Sequence, residues 1–274
     1  MEILRGGSGN HSNKESRPNS ICRDIIAKFP DWKQILERAL EEKGKAIPEW
    51  PDYVFAPISA YFPNVFEGKP SVLDPLLEYK LLLVNQLAAI IPWSFSKGIY
   101  RFSDALFKEI ESSEISKKLP SEIFKKLPQW SIYIEIPKNA QKTFSGFFVF
   151  LESDHGRDEL RILLDSDKFP PVPLILPLDN LSIEDSISRT SWAMHQNVLD
   201  SKTSGSKVKS LLETHGELQV KELRKIIPLI LYICSEKAEI TGPYSHDIYN
   251  QRLKEKQFLE FPEVKDPVIW DVGK

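Results

Sequence analysis

Trp130-Ser131-Ile132-Tyr133-Ile134-Glu135-Ile136 (WSIYIEI, residues 130–136) is the stretch on which the fold turns. Trp130, Ile132, Ile134 and Ile136 recur at every second position, with Ser131, Tyr133 and Glu135 between them. That is the period of a strand. Downstream, Phe144 to Leu151 (FSGFFVFL) reads as a second strand, buried on both faces over part of its length. The turn Ser153-Asp154-His155-Gly156-Arg157-Asp158 then leads to a third strand, Leu160 to Leu164. Leu174 to Leu178 reads as a fourth, placed at an edge by Pro173 and Pro177. The four strands form a hairpin and meander over residues 130–178.

Upstream of Pro128 the period is helical. Ile21, Cys22, Ile25, Ile26 and Phe29 repeat at helix spacing, and Asp31 with Gln34 has the spacing of a capping box for the next helix. A helix from Ser71 to about Ile91 is apolar nearly all round, which predicts a central position. Ser103 caps a shorter helix to Ile110, and the mixed charges of Glu109 to Lys126 read as a solvated face. Ser182 with Asp185 caps a helix to about Val198. A long helix from about Glu217 to Lys237 follows, with a kink expected at Pro228. The fold class is α+β, with helices packed on a small, mainly antiparallel sheet. Trp130, Phe147, Leu231 and Cys234 are expected in the core where sheet meets long helix.

Residues 6–20 hold no hydrophobic side chain, so residues 1–20 are expected to form a disordered tail and residues 1–19 to be dispensable. Residues 21–274 then form one domain: a helical part at 21–126, the sheet at 127–180, helices at 182–240 and an extended segment at 241–274. From Ile47 to Pro70, prolines alternate with Trp50, Tyr53, Phe55, Tyr61, Phe62 and Phe66. This predicts an extended connection pinned by aromatics, packing on the core or lining a groove.

The 274 residues carry 36 basic and 39 acidic side chains, a net charge of -3. Strong direct nucleic-acid binding or attachment to an anionic membrane would need a basic face, which this balance does not supply. The apolar runs are too short to span a bilayer. Cys22 and Cys234 sit among apolar residues and read as core, which suits a reducing cytoplasm.

Motifs for catalysis are sparse. Phosphate-loop, dinucleotide, HExxH and GxSxG patterns are absent. The five histidines are scattered, and no metal or cofactor is expected. Glu152, Asp154, Asp158, Glu159, Asp165 and Asp167 form the densest acidic cluster. With His155 they could hold Mg²⁺ in a nuclease, although turns demand the same residues. Arg189 and His195, six apart, are a second ribonuclease-like pair, but Arg5 and His11 repeat the spacing in the tail. No catalytic residue is assigned, and the chain reads as a binding protein rather than an enzyme.

From Leu127 the sequence resembles a known family. Leu127-Pro128-Gln129-Trp130 followed by Ile132-Tyr133-Ile134-Glu135-Ile136 is similar to its LP-x-W-x-[IV]-Y-[IV] strand. Gly146-Phe147-Phe148, the strand Leu160 to Asp167 and Pro173-Leu174-Ile175-Leu176 follow in the family's order. Tyr232-Ile233-Cys234-Ser235-Glu236 looks like its [YW]-L-C-x-[AE] stretch. The family is the type V-A anti-CRISPR group called VA-two, carried by plasmids and phages. Tyr100 to Ser121 fits more loosely, and residues 1–95 barely at all.

The resemblance implies a cytoplasmic protein of a bacterial host. It would recognise the nascent N-terminal peptide of a type V-A CRISPR effector nuclease and so trigger loss of its mRNA. Implied partners are that peptide and, through it, the translating ribosome or host RNA-decay machinery. Family members continue past Gly273 into a basic Arg/His/Trp-rich tail, which is missing here because the sequence stops at Lys274. Trp50, Tyr53, Phe55, Tyr61 and Phe62 are the candidate peptide-binding residues, a variable wall beside the family-like sheet. The alternatives are a metal-dependent or Arg/His ribonuclease, and an interaction protein of a mobile element without an anti-CRISPR role.

Overall fold

The computed structural model describes residues 15–68, 74–115, 120–140, 144–154, 156–167, 172–179, 181–189, 221–247, 250 and 266–274. The WSIYIEI stretch forms the middle strand of a seven-stranded mixed sheet of order β5-β4-β3-β2-β1-β7-β6. The strands are β1 (Gly98–Phe102), β2 (Ser131–Glu135), β3 (Gly146–Asp154), β4 (Arg157–Asp165), β5 (Val172–Pro177), β6 (Ile240–Thr241) and β7 (Val268–Val272). From β2 to β5 the sheet is the expected antiparallel meander. The hairpin is tighter than its polar sequence suggests. Asp154 pairs with Arg157, which leaves a two-residue connection whose Gly156 has φ +77°.

The other half of the sheet is not foreshadowed. Strand β1 runs parallel to β2 and to β7, and β6 closes the far edge antiparallel to β7. The segment expected to trail as extended chain thus supplies two strands. A parallel partner lies far away in sequence, so local periodicity carries no trace of it. The class remains α+β.

Helices α1 (Arg17–Ile26), α2 (Trp32–Glu41), α3 (Phe62–Val65), α4 (Leu77–Ser96) and α5 (Asp104–Glu111) precede the meander. Two more, α6 over residues 183–189 and α7 over residues 221–233, follow it. The first helix starts at Arg17, before the apolar spacing begins at Ile21, with Pro18 in its opening turn where a missing N–H costs nothing. Helix α4 is central, as its composition requires: Val84, Leu87, Ile90, Ile91 and Trp93 have no more than traces of exposed surface. It runs through Pro92 to Ser96, past the expected end at Ile91. Lys97 then turns left-handed (φ 45°), its N–H bonded to Trp93 O at 2.7 Å. The Trp93 indole donates to Gly98 O at 2.9 Å, which fixes the turn that launches β1.

The Ser103 and Ser182 caps form, with Leu106 N–H to Ser103 Oγ at 3.4 Å and Asp185 N–H to Ser182 Oγ at 3.2 Å. Asp31 occupies the N-cap of α2 but makes no side-chain cap bond, because its backbone (φ −93°, ψ 9°) is not extended. The segment read as a solvated face includes a 3-10 turn, Ser121–Lys126, that buries Phe124 completely. Trp130, Phe147 and Cys234 are core residues, whereas Leu231 is only partly buried. The helix turns Ile226, Ile227 and Ile230 inward instead. No helix among the described residues is long and apolar enough to cross a membrane.

Candidate functional site

The aromatic stretch wraps the flank of the sheet. Trp50, Phe55 and Tyr61 are 5%, 3% and 1% exposed and belong to the core, so they offer a ligand almost no surface. Phe55 packs between Phe95 and Trp130, each with ring centroids 5.4 Å away, and the Trp50 indole donates to Phe55 O at 3.3 Å. Tyr53 and Phe62 keep partial exposure. Tyr53 is nonetheless engaged: its hydroxyl donates to Asp158 Oδ2 at 2.8 Å, and Lys125 Nζ lies 5.3 Å from its ring centroid. Burial, reinforced by Asp158, pushes the Tyr53 phenol up to about 12. Aromatic content alone could not separate wall from core, since both uses favour the same side chains.

The acidic cluster is likewise committed to structure. Glu152 is 1% exposed, and both carboxylate oxygens accept the Ile58 N–H at 3.0 Å. Burial opposes ionisation of Asp158, but bonds from Lys125, Tyr53 and Ser153 outweigh it and hold the carboxyl below its ordinary value. Glu159 pairs with Arg161 at 2.7 Å. Asp165, 2% exposed, accepts from Arg17 at 2.6 and 2.7 Å and from the Tyr133 hydroxyl at 2.9 Å. Arg17 also pairs with Asp167. The side chains of Asp154 and His155 lie outside the described residues. Among the described residues, no group of three His, Cys, Asp or Glu could hold a metal ion. Arg189 bonds Asp179 at 3.0 Å, and its suggested partner His195 lies outside the described residues.

The described residues also form concave sites, two of which lie beside the parallel strands and His246. One, of about 440 Å³, opens at the carboxyl ends of the parallel strands β1 and β2, beneath the amino end of α1. Parallel strands leave their ends and connecting loops on one side, where open sheets commonly receive ligands. Arg17, Arg101, Tyr133, Glu135, Lys138 and Phe144 line it. Arg101 reaches Glu135 Oε2 through Nε at 2.9 Å. Gly146 makes room for the lining residue Tyr133, since a Cβ there would collide with the Tyr133 phenol and the Ile134 carbonyl. Only glycine lets Tyr133 lie across β3 and reach Asp165. This pocket escaped the sequence reading because Arg17, Arg101 and Lys138 come from three separate elements.

The second concavity, about 670 Å³, lies between the end of α7 and His246. His246 Nε2 is 2.9 Å from the Tyr100 hydroxyl and 3.0 Å from Asn250 Nδ2, and Gln129 Nε2 donates to Asn250 Oδ1 at 2.9 Å. The His246 ring meets Trp270 edge-on at 4.8 Å. Burial lowers the His246 pKa, against a smaller opposing pull from Asp247. In a neutral ring with its proton on Nδ1, the one lone pair of Nε2 is shared between the Tyr100 hydroxyl and the Asn250 amide.

The fold is thus a mixed sheet with a ligand-sized pocket at its parallel ends, and Glu152, Asp158, Glu159 and Asp165 are each bonded to an internal partner. The family model described as anti-CRISPR type V subtype A2 (AcrVA2-like) matches residues 100–274, and the chain belongs to that family. The crystal structure of AcrVA2 superimposes with a TM-score of 0.63 at 19% identity, covering 94% of this chain and 83% of that one. The helical region before residue 95 is therefore part of the shared fold, although its sequence gave little sign of it. Protein FinQ of Escherichia coli is 24% identical over 170 residues, or 57% of this chain. The chain spans about half the length, 49%, of that curated relative.

Proposed function

We propose that the protein acts as an anti-CRISPR against a type V-A effector nuclease, by binding the nascent N-terminal peptide of the nuclease and bringing about loss of its mRNA. Membership of the subtype A2 family over residues 100–274 carries this reading, because the matched segment holds nearly all of the mixed sheet and the pocket at its parallel ends. Peptide capture needs a preformed concavity and no nucleophile. The ribonuclease alternative has less support: Glu152, Asp158, Glu159 and Asp165 are each bonded to an internal partner.

Strand addition at the β5 edge is a poor route for the peptide. Leu178 N–H bonds Asp158 O at 2.8 Å, so the even-numbered residues of β5 face β4, and Pro173, Ile175 and Pro177 face outward. Two of those three have no N–H to offer. The peptide is therefore assigned to the pocket.

The test pairs calorimetry with a cellular readout. A peptide from the start of a type V-A nuclease should bind and its scrambled counterpart should not. Nuclease mRNA should fall only when the message is translated. Equal heats from both peptides would remove the reading, and metal-dependent cleavage of RNA by the purified protein would replace it with an enzyme.

A further inference from the structure

The pocket at the ends of β1 and β2 has a charge pattern that narrows its ligand. Arg101 is bonded to Glu135 through Nε alone, and the donors on its two terminal nitrogens have no partner among the described residues. Its side chain is 43% exposed, enough to be reached and partly shielded. An arginine held at Nε presents its fork of terminal N–H groups in a fixed direction, the geometry that grips a carboxylate or phosphate with two bonds. Lys138, exposed on the loop after β2, adds positive charge from a second side, while Arg17 on α1 lines the pocket with its own charge met by Asp165 and Asp167. The hydroxyl of Ser16, in the same lining, is shielded from solvent and makes no hydrogen bond. Glu135 is the one carboxylate among the lining residues.

The rest of the lining is apolar, with Ile136, Pro137, Ala140, Phe144 and Pro18. We infer that this pocket binds an acidic peptide, seating one Asp or Glu carboxylate on the Arg101 fork with its apolar neighbours against Ile136, Pro137 and Phe144. A singly charged carboxylate suits the site better than a phosphate, because Glu135 stands beside the fork and repels a second negative charge more strongly. The overall charge of -3 gives no wider basic surface to hold a nucleic-acid backbone. The inference rests on the peptide-binding reading above and specifies which side chain that reading requires.

The probes are four blocked tetrapeptides that differ only at one position between leucines: glutamate, glutamine, phosphoserine and lysine. Calorimetry on the whole chain should show the glutamate peptide binding about tenfold tighter than the glutamine one. Arg101→Gln should erase that preference with an unchanged melting temperature. Glu135→Gln removes the negative charge beside the fork while leaving an oxygen to accept from Arg101 Nε, and should tighten the glutamate peptide several-fold, a gain that misfolding cannot mimic. Equal binding of glutamate and glutamine peptides, or a preference that survives in Arg101→Gln, overturns the inference. So does tighter binding of the phosphoserine peptide, which would make the site a phosphate receptor. A nuclease N-terminal peptide whose affinity ignores Arg101→Gln overturns this site assignment alone. Acidic tetrapeptides that bind through Arg101 while nuclease peptides fail overturn the nuclease reading alone.

Discussion

Arg17 and Asp165 meet through two hydrogen bonds, Nε at 2.6 Å and Nη2 at 2.7 Å, although 148 residues separate them. The pair ties α1 to the end of β4. Asp165 is 2% exposed, and the bond to it holds the Arg17 pKa above its ordinary value. Arg17→Ala should cost about 1–3 kcal/mol, since it leaves a buried carboxylate with the Tyr133 hydroxyl as its remaining side-chain partner. The figure sits below that for a fully buried pair because Arg17 is 36% exposed. Denaturant unfolding of the variant checks it. Deleting residues 1–19 removes the same bond and should cost as much, against the expectation that this stretch is dispensable.

Tyr61 and Trp50 test whether the aromatic stretch is core. The Tyr61 hydroxyl is buried without a hydrogen-bond partner, and burial, with Glu152 nearby, pushes its pKa well up. Tyr61→Phe should therefore be neutral or stabilise by up to about 1 kcal/mol. Trp50→Ala should cost about 3–5 kcal/mol. A thermal shift that left Trp50→Ala as stable as the parent would return the residue to the surface.

Neighbouring residues of α7 should behave differently. Ile230 is fully buried and Leu231 only partly so. Ile230→Ala should lose about 2–5 kcal/mol, and Leu231→Ala less than about 2. Comparable losses at both positions would mean that the helix faces the sheet with a different side.

His246 predicts a pH dependence. Burial lowers its pKa from the ordinary 6.5, so between the two values the unfolded chain binds more protons than the folded one. The contribution is complete above about pH 6.5 and drains away as pH falls toward the depressed folded value. His246→Gln keeps an acceptor for Asn250 and should flatten the stability curve in that window. Chemical denaturation at several pH values reads this directly.

The meander was legible because its pairings are local. Gly156 makes the turn, Phe147 and Ile132 alternate with the pleat, and Pro173 and Pro177 mark the edge. The caps at Ser103 and Ser182 were legible for the same reason. Asp31 shows the limit: the right residue at the right spacing makes no cap when its backbone turns away. The parallel strands and the Arg17–Asp165 pair were hidden because their partners are not local: β1 pairs with β2 across a helix and a 3-10 turn, with β7 from the far end of the described fold, and Arg17 lies 148 residues from Asp165. The carboxylates of the hairpin were read as turn formers or metal ligands, yet Glu152 holds the backbone of Ile58 and Asp165 holds α1. Nothing local distinguishes these roles, since the partner decides them.

The placement of β7 governs the order in which the molecule can be assembled. Ile99 pairs with Ile269, so β1 waits for the strand that emerges last of the seven during synthesis. Closing so long a loop must precede any reward from the contacts it brings, which makes such pairings slow. Until then β1 has one open edge, with Ile99 and Tyr100 beside it, next to a hairpin that can already have folded. The newly made chain therefore passes through an interval in which five strands of the sheet can already be paired while the open edge of β1 is a template awaiting β7.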